Sequence, residues 1–433
     1  MTGEDRTAAD HVPLTLQDEV LARLKSLPEV VGFAALFSGE APDIDSLRGR
    51  VAERWGSLPR LRGVLETPAP GWFRYATRRH GWVILAGLDV HEHVSAVSTG
   101  RELDGLLNEL VVCPLPVHRP PWRLLVVHNA PEAHFSLVFV AHHALLDGSS
   151  CFTLLHHLLG ASPPIAPTRR EPDGPSAPGR RAPRTGMAYA LRSLVGAKQT
   201  IGPPAHDPRP ALAWSAMDPS ALTAARRALP GWGATLNEVV LAAAAGAVRA
   251  VHGPQPRPGR TGGPVYAGVS VDLRGRDTAH HLGNIVSMAR IPLPVDGESP
   301  ADRLAACRGV VARQGGRASA EALLRIGKTA SCLGPWTLGV IAARGSSHPA
   351  AAVSCTLVRH KGGGLSLDQR PLVRCLAIPP VPPAGTVGFT LVQYAGTFTI
   401  TVASHALPGD AHRLTSRFVD EVSLLGRGRE SDG

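Results

Sequence analysis

The sequence predicts a mixed α/β (α+β) protein built from two halves. Apolar runs of strand length alternate with stretches whose apolar residues recur at helical spacing, and both kinds occur on either side of the middle of the chain. Between them, residues 161–186 are rich in Pro, Gly, Ser and Arg, which is typical of a linker or exposed loop. We therefore assign an N-terminal half to residues 1–160, a linker and crossover to 161–205, and a C-terminal half to 206–433.

The N-terminal half contains strand and helix patterns in turn. A short polar turn at residues 130–133 separates two apolar runs and indicates a hairpin. Ser149 and Ser150 are expected to cap the helix that follows it. In chain order the expected elements are a strand at 30–39, helices at 44–58 and 101–116, strands at 122–129 and 134–143, and a helix at 149–160.

The C-terminal half opens with the clearest helix, because Thr235-x-x-Glu238 is a capping-box pattern and Gly253 ends the apolar period. Ser299 is expected to cap another helix, with Pro300 at its first position. The expected elements are helices at 235–253 and 299–315, strands at 265–273, 284–293 and 351–358, a hairpin at 387–405 turning at Ala395 and Gly396, and a closing helix at 408–426.

Composition excludes several classes of protein. Apolar residues make up 44% and charged residues 18% of the 433 residues, as in soluble globular proteins. The polar, acidic start has no apolar run, so we expect no secretory signal and a cytoplasmic location. The formal net charge of +10 favours acidic partners, but no basic helix with interleaved aromatic residues accompanies it, so nucleic acid is not an expected partner.

The cysteines and the apolar stretches argue against two further classes. The longest helical apolar stretch, residues 239–248, is far shorter than the roughly 20 residues that cross a bilayer. The cysteines form no C-x-x-C pair, which argues against a zinc site and a disulfide framework and predicts buried thiols. They are Cys113, Cys151, Cys307, Cys332, Cys355 and Cys375.

The heptapeptide HHALLDG, residues 142–148, is the strongest candidate site. Adjacent side chains of a strand point to opposite faces, so His142 and His143 are not expected to serve one metal ion. One interpretation is structural: the histidines satisfy backbone groups and Asp147-Gly148 forms an ordinary turn. The other is a general base, because a histidine at the end of a buried strand, oriented by its neighbour and by Asp147, titrates near neutral pH.

The residues around the histidines favour direct proton abstraction. Gly148 lets a substrate or another backbone approach closely. Ser149 and Ser150 lack the G-x-S-x-G context of a nucleophile, so a covalent enzyme intermediate is not expected. No glycine-rich phosphate loop is evident, and we expect no bound metal, nucleotide or flavin.

HHALLDG matches the HHxxxDG motif of the condensation-domain and acyl-CoA-dependent acyltransferase superfamily, and the chain most resembles the bacterial wax ester synthase/diacylglycerol acyltransferase family. The resemblance extends over about residues 30–415 and also rests on three stretches in the family's order. It implies two chloramphenicol-acetyltransferase-like halves that form a pseudo-dimer around a central tunnel. The stretches are PLPVHRPPWRLLVV, TLNEVVLAAAAGAVRAV and LGNIVSMARIPLPVDGESPADRL.

The resemblance implies a role for each matching residue. His143 would take the proton from a hydroxyl or amine as it attacks a thioester carbonyl, and His142 would be structural or orienting. Asp147 would be structural, and Arg274 in VSVDLRGR is its hypothetical partner. Asn284 in the family's "GN" element would lie at the cleft, and Gly148 and Ser149 would support the site. The acyl donor would be acyl-CoA or a phosphopantetheine-linked chain on an acyl or peptidyl carrier protein.

Two stretches depart from the family, and they bear on the substrate. Residues 354–358 replace the family's "NVPGP", and LTLQDEVLARL stands where "PLDxxFL" is expected. These departures favour acyl transfer in specialised-metabolite biosynthesis over synthesis of wax esters or triacylglycerol. The basic surface suits either an acidic carrier protein or peripheral contact with anionic lipid. A non-catalytic binding or scaffold protein with a condensation fold is the alternative of another class.

Other histidines are expected to be structural. The pairs His156-His157 and His280-His281 lack the Asp-Gly that follows the first pair. His93 resembles a family position, but packing is its expected role, and Trp122 is expected in the core.

Overall fold

Within the residues that it describes, the computed structural model contains two six-stranded sheets and a small three-stranded one. It describes residues 10–24, 29–67, 78–98, 103–116, 118–128, 135–160, 199–201, 210–254, 264–275, 278–314, 316–347, 351–360 and 362–427. The turn at 130–133 and, apart from residues 199–201, the predicted linker lie outside these residues, and the predicted boundaries between the halves stay predictions.

The N-terminal half contains the three strands and three helices that the sequence predicts from residue 30 onward, together with shorter elements between residues 59 and 98 that it does not predict. In chain order the elements are β1 (Asp10–Pro13), α1 (Leu16–Ala22), β2 (Val30–Phe37), α2 (Ile44–Trp55), a 3-10 helix (Pro59–Arg62), β3 (Gly63–Glu66), β4 (Gly81–Ile84), α3 (Val90–His93), β5 (Val94–Ser98), α4 (Leu103–Val112), β6 (Trp122–His128), β7 (Phe135–His142) and α5 (Gly148–Leu158).

The C-terminal half adds strands of the second sheet and the helices that cover it. Its elements are β8 (Ala211–Met217), α6 (Pro219–Arg227), α7 (Leu236–His252), β9 (Val265–Asp272), β10 (Val286–Leu293), α8 (Pro300–Gln314), α9 (Gly316–Ser331), α10 (Pro335–Ser347), β11 (Val353–Arg359), β12 (Ser366–Leu367), β13 (Arg370–Ile378), β14 (Val387–Tyr394), β15 (Thr397–Ser404) and α11 (Asp410–Arg427).

The first sheet has the order β12-β13-β2-β7-β6-β5. Its central strands β2 and β7 are buried on both faces, which is why they read as continuous apolar runs. One face packs against α2 and α5, and the other packs against α4. Phe33 and Phe139 stack across the two central strands with their ring centroids 5.4 Å apart.

The second sheet has the order β10-β9-β11-β14-β15-β8, and α6, α7, α8 and α11 pack on one face. The predicted capping box of α7 is present: Thr235 Oγ1 accepts from the Glu238 N–H at 3.3 Å, and the Glu238 carboxylate accepts from the Thr235 N–H at 2.7 Å. The predicted hairpin turns at Ala395 and Gly396, which both adopt positive φ. The predicted cap of α8 is also present, since Ser299 Oγ accepts from the Asp302 N–H.

The two halves are joined by a strand that crosses between them. β13 comes late in the chain, yet it pairs antiparallel with β2, from Leu372 opposite Phe37 to Ile378 opposite Gly32. On the other side of β2, a Cβ on Gly32 would lie 1.9 Å from the carbonyl oxygen of Phe139 in β7, so the pairing of β2 with β7 needs glycine at this position. The first sheet is therefore completed by residues of the C-terminal half.

Three expectations about local structure need correction. Asp147, rather than Ser149 or Ser150, caps α5, because its carboxylate accepts from the Ser150 N–H at 2.8 Å. Cys113 and Cys332 are exposed, since each follows the last turn of a surface helix; the other four thiols are buried as expected. In the C-terminal half, the strands β8, β12 and β13 and the helices α6, α9 and α10 were not predicted. Across the described ranges, no helix combines the length and apolarity needed to cross a membrane.

Candidate active site

The HHALLDG segment forms a tight turn where the two halves meet. β7 ends at His142, and α5 begins at Gly148. The segment that precedes β10 lies against this turn: the Asp147 N–H donates to the Gly283 carbonyl at 3.4 Å, and Ser150 Oγ donates to the same oxygen at 2.8 Å. The motif therefore lies where residues of the two halves contact each other.

His143 is held in a tautomer suited to a base. Its Nδ1 lies 3.0 Å from the carbonyl oxygen of Leu146, and because a carbonyl only accepts, the neutral ring carries its proton on Nδ1. The lone pair of Nε2 is then free to accept a proton. The orienting group is thus a backbone carbonyl, and the expected orientation by Asp147 is wrong because that carboxylate is bonded elsewhere.

His142 has the opposite arrangement. Its ring Nδ1 accepts from the Ala144 N–H at 3.1 Å, and its backbone N–H donates to the Pro121 carbonyl at 2.9 Å. Burial, with a smaller contribution from His143, lowers the pKa of His142 to about 4. The ring is therefore neutral at physiological pH and stabilises the turn.

Asp147 forms the expected ion pair with Arg274. The guanidinium donates two hydrogen bonds, at 2.9 and 3.0 Å, and only 4% and 5% of the two side chains are exposed. The carboxylate also accepts from the Ile285 N–H at 3.0 Å. Burial would raise the pKa of Asp147, but the charge of Arg274 and these hydrogen bonds hold it below its usual value. The pair fastens the start of α5 to the second half.

Arg274 also organises the segment around Gly283. Its Nη2 donates to Ser150 Oγ at 2.8 Å and to the Gly283 carbonyl at 3.0 Å, and its Nε donates to the His281 carbonyl. Ser149 Oγ donates to Asp272 at 3.0 Å, on the exposed side of the same junction. These contacts give Ser149 and Arg274 structural positions.

At Gly148 a Cβ would only reach ordinary contact with Val358, so this structure shows no close approach that requires glycine there.

Three buried side chains, Asn284, Asp18 and Arg60, form hydrogen bonds that support the HHALLDG turn. The sequence analysis did not identify Asp18 and Arg60. Asn284 Nδ2 donates to the His143 carbonyl and to Asp18 Oδ1, both at 2.7 Å. Arg60 donates to the other oxygen of Asp18 at 2.7 Å and to the Leu145 carbonyl at 2.6 Å. Asp18 lies in LTLQDEVLARL, so the stretch read as a departure from the family supplies part of the site. No local signal marked Arg60.

His93 and His156 both contact other aromatic or imidazole rings. His93 stacks on Trp122 with ring centroids 4.3 Å apart and bonds the Trp122 carbonyl, and Trp122 is buried. His156 Nε2 lies 2.5 Å from Nδ1 of His360, next to β11. Within the described part of the chain, no group of three or more His, Cys, Asp or Glu side chains is arranged to hold a metal ion.

Glu29 is a buried acid beside the site. It immediately precedes β2, and its carbonyl oxygen accepts from the His143 N–H at 2.6 Å. Part of the residue surface is exposed, yet the carboxyl group lies deep enough that burial raises its pKa to about 8. At neutral pH the folded protein therefore holds Glu29 protonated.

Replacing Glu29 by Gln should stabilise the protein increasingly as pH rises. The folded state keeps this proton up to about pH 8, whereas an unfolded chain releases it above about pH 4.3. The stability of the wild-type protein therefore falls as pH rises across this window. The stability of Glu29→Gln does not fall for this reason, because Gln does not ionise. We expect a relative gain of at least about 1.4 kcal/mol between about pH 5 and about pH 8, equivalent to one pKa unit. Thermal melts across this range measure it.

The control for this experiment is Glu53→Gln, which removes an exposed carboxylate of α2. Its melting curve should follow wild type at every pH. Parallel curves for Glu29→Gln and wild type would show that Glu29 ionises normally in the fold.

The sequence matches two domains of one known family. Residues 27–265, more than half of the chain, match the wax ester synthase/diacylglycerol acyltransferase catalytic domain. Residues 282–425 match the C-terminal domain of the same family. The first match ends at residue 265 and the second begins at residue 282. Arg274 and Gly283, which contact the HHALLDG turn, lie between or next to these ends.

Similar proteins are known from mycobacteria. A probable diacylglycerol O-acyltransferase of Mycobacterium tuberculosis, tgs2, is 30% identical over 261 residues, which are 52% of this chain and 56% of that protein. A putative diacylglycerol O-acyltransferase of the same species is 28% identical over 323 residues, covering 65% of this chain and 69% of that protein. The aligned region thus spans little more than half the length of the first relative.

Solved structures show the same fold. The wax ester synthase/diacylglycerol acyltransferase from Marinobacter aquaeolei VT8 has a TM-score of 0.64 at 18% identity, covering 96% of this chain and 98% of that one. The first condensation domain of the CDA synthetase has a TM-score of 0.67 at 14% identity, covering 98% and 97%. The predicted α/β fold of two similar halves is confirmed.

Proposed function

The chain belongs to the wax ester synthase/diacylglycerol acyltransferase family, and from this premise we propose that it transfers an acyl group from acyl-CoA to a lipid hydroxyl, of a long-chain alcohol or a diacylglycerol. The observation that carries the proposal is the His143 ring, whose Nδ1–H is bonded to a carbonyl and whose Nε2 keeps its lone pair at the junction of the halves. The relatives named as O-acyltransferases favour a hydroxyl acceptor. This lipid function replaces the specialised-metabolite function that the sequence departures favoured.

The proposed reaction is a single direct transfer. His143 Nε2 accepts the proton of the acceptor hydroxyl as its oxygen attacks the thioester carbonyl. A C–O bond forms and the C–S bond breaks, so coenzyme A leaves as a thiolate that recovers the proton from the imidazolium. The products are an ester and free coenzyme A. No step requires a bound metal or cofactor.

The other motif residues support this step without taking part in it. His142 stays neutral and braces the turn through its bond from the Ala144 N–H. Asp147 is saturated by Arg274 and by two backbone N–H groups, so it has no capacity to act on substrate. The turn is thereby fixed from both halves, which keeps Nε2 in place while two substrates are held in register.

The test is product analysis with purified protein. Long-chain acyl-CoA is supplied with a long-chain alcohol, a diacylglycerol or an amine, and in parallel the acyl chain is supplied on a carrier protein. We expect ester and free coenzyme A from the first two mixtures, and none from His143→Gln. Turnover only with a carrier-bound donor or an amine would contradict the proposal and favour specialised-metabolite chemistry. A protein that binds but never turns over these pairs would favour the scaffold alternative.

A further inference from the structure

An exposed apolar patch lies at the start of α10. Leu333 in the turn after α9 is 72% exposed, and Trp336 and Val340 on α10 are each 54% exposed. Trp336 and Val340 are four residues apart on α10 and therefore share one side of the helix, and Leu333 lies two residues before the first residue of α10. We call these three residues the α10 patch. Large apolar side chains clustered in this way, rather than scattered singly, mark an interaction surface.

The surroundings of the α10 patch are basic. Helix α9, which ends just before the patch, carries Arg325 and Lys328 in its last two turns, whereas Arg317 in its first turn is paired with Glu321. Arg23, whose own charge is buried in an ion pair with Glu19, lies 3.6 Å from the position that a Cβ on Gly339 of α10 would occupy. The same side chain donates to the Arg78 carbonyl, which brings the exposed Arg78 and Arg79 to this side of the molecule. With a formal net charge of +10, the protein as a whole also attracts anions.

We propose that the α10 patch docks the protein onto the surface of an anionic lipid bilayer. Leu333 and Val340 enter the boundary between headgroups and acyl chains, Trp336 lies at the headgroup level, and the neighbouring basic side chains attract lipid phosphates. A buried Trp covers about 150–250 Å², whereas a stable dimer buries about 800 Å² on each partner. Three side chains are therefore too few to hold a second copy of the chain.

The docked element is coupled to the site by direct packing. Leu16 of α1 packs against α9, where a Cβ on Gly327 would lie 2.9 Å from its Cδ2. Helix α1 also carries Asp18, which bonds Asn284 and Arg60 behind the HHALLDG turn. A bilayer under the α10 patch would thus lie against the helices that support the His143 turn. The inference goes beyond the proposed function, and it is tested by binding without turnover.

The test is cosedimentation of the intact protein with vesicles of phosphatidylcholine, with or without phosphatidylglycerol. Wild type should bind the mixed vesicles, less strongly as salt is added, because exposed charges are screened. Trp336→Ala and Leu333→Ser should each weaken binding about tenfold or more, since each removes buried apolar surface. Both side chains are more than half exposed in the free protein, so the melting temperature should fall only slightly and the variants should stay folded.

The matched control is Trp232→Ala, which removes a fully exposed Trp from the turn between α6 and α7. It should bind like wild type. The charge is tested with Lys328→Glu, which should weaken binding to the mixed vesicles several-fold. Three results would each overturn the proposal. They are equal binding of wild type to both vesicle types, loss of binding with Trp232→Ala but not with Trp336→Ala, and no binding by wild type. None of these results depends on turnover, so the proposed acyl transfer is judged separately.

Discussion

Asp147→Ala is expected to lower the free energy of unfolding by about 3–5 kcal/mol, because it leaves the Arg274 guanidinium buried without its counter-charge. The Ile285 N–H loses its acceptor in the same step. The start of α5 also loses its N-cap, which by itself is worth about 1 kcal/mol. Urea denaturation with and without the substitution measures the loss.

Asp272→Ala is a sharp control because Asp272 also contacts Arg274, at 3.3 Å, but its side chain is 47% exposed. Solvent screens that contact, so we expect a loss within about 1 kcal/mol. Equal losses of unfolding free energy for the two variants, or no loss for Asp147→Ala, would contradict the assignment of Asp147 to a buried ion pair that joins the halves. An activity loss in Asp147→Ala would then need a different explanation from destabilisation.

The sequence predicts the elements whose signals are local. The capping box of α7, the Ala395-Gly396 turn and the cap at Ser299 are each specified within a few residues. The apolar runs of β2 and β7 identify buried central strands for the same reason. Helices α9 and α10 escape this reasoning, because glycines such as Gly327 and Gly339 lower helix propensity and the packing of α9 on Leu16 of α1 supplies the compensation.

The position of β13 could not be predicted, because its partner β2 lies more than three hundred residues earlier and no turn specifies the pairing. The same limit applies to the site. HHALLDG is contiguous and was recognised, together with Arg274 and Asn284 in nearby motifs. Asp18 and Arg60 come from elements of their own and reach the turn only in the folded chain, so a contiguous pattern does not reveal them.

His143→Ala is expected to reduce kcat/KM for acyl transfer by about 10²- to 10⁴-fold, the usual contribution of a positioned general base. The substitution removes one hydrogen bond, from Nδ1 to the Leu146 carbonyl, so the free energy of unfolding should change by only about 1 kcal/mol. Steady-state kinetics and urea denaturation on the same preparation separate the two effects. Added imidazole should restore part of the rate, because it can accept the proton that Nε2 would have taken.

His142→Ala is the matched control, since it removes the same side chain one residue earlier. Its neutral ring accepts from the Ala144 N–H inside the turn, so its loss should cost stability, and imidazole should restore no activity. The two variants thus distinguish a general base from a structural residue. His143→Ala should lower kcat/KM and keep its fold, whereas His142→Ala should lose stability and with it the geometry of the turn. If imidazole rescued His142→Ala and not His143→Ala, the base would be the first histidine of the pair, and the tautomer that Leu146 imposes on His143 would have no catalytic consequence.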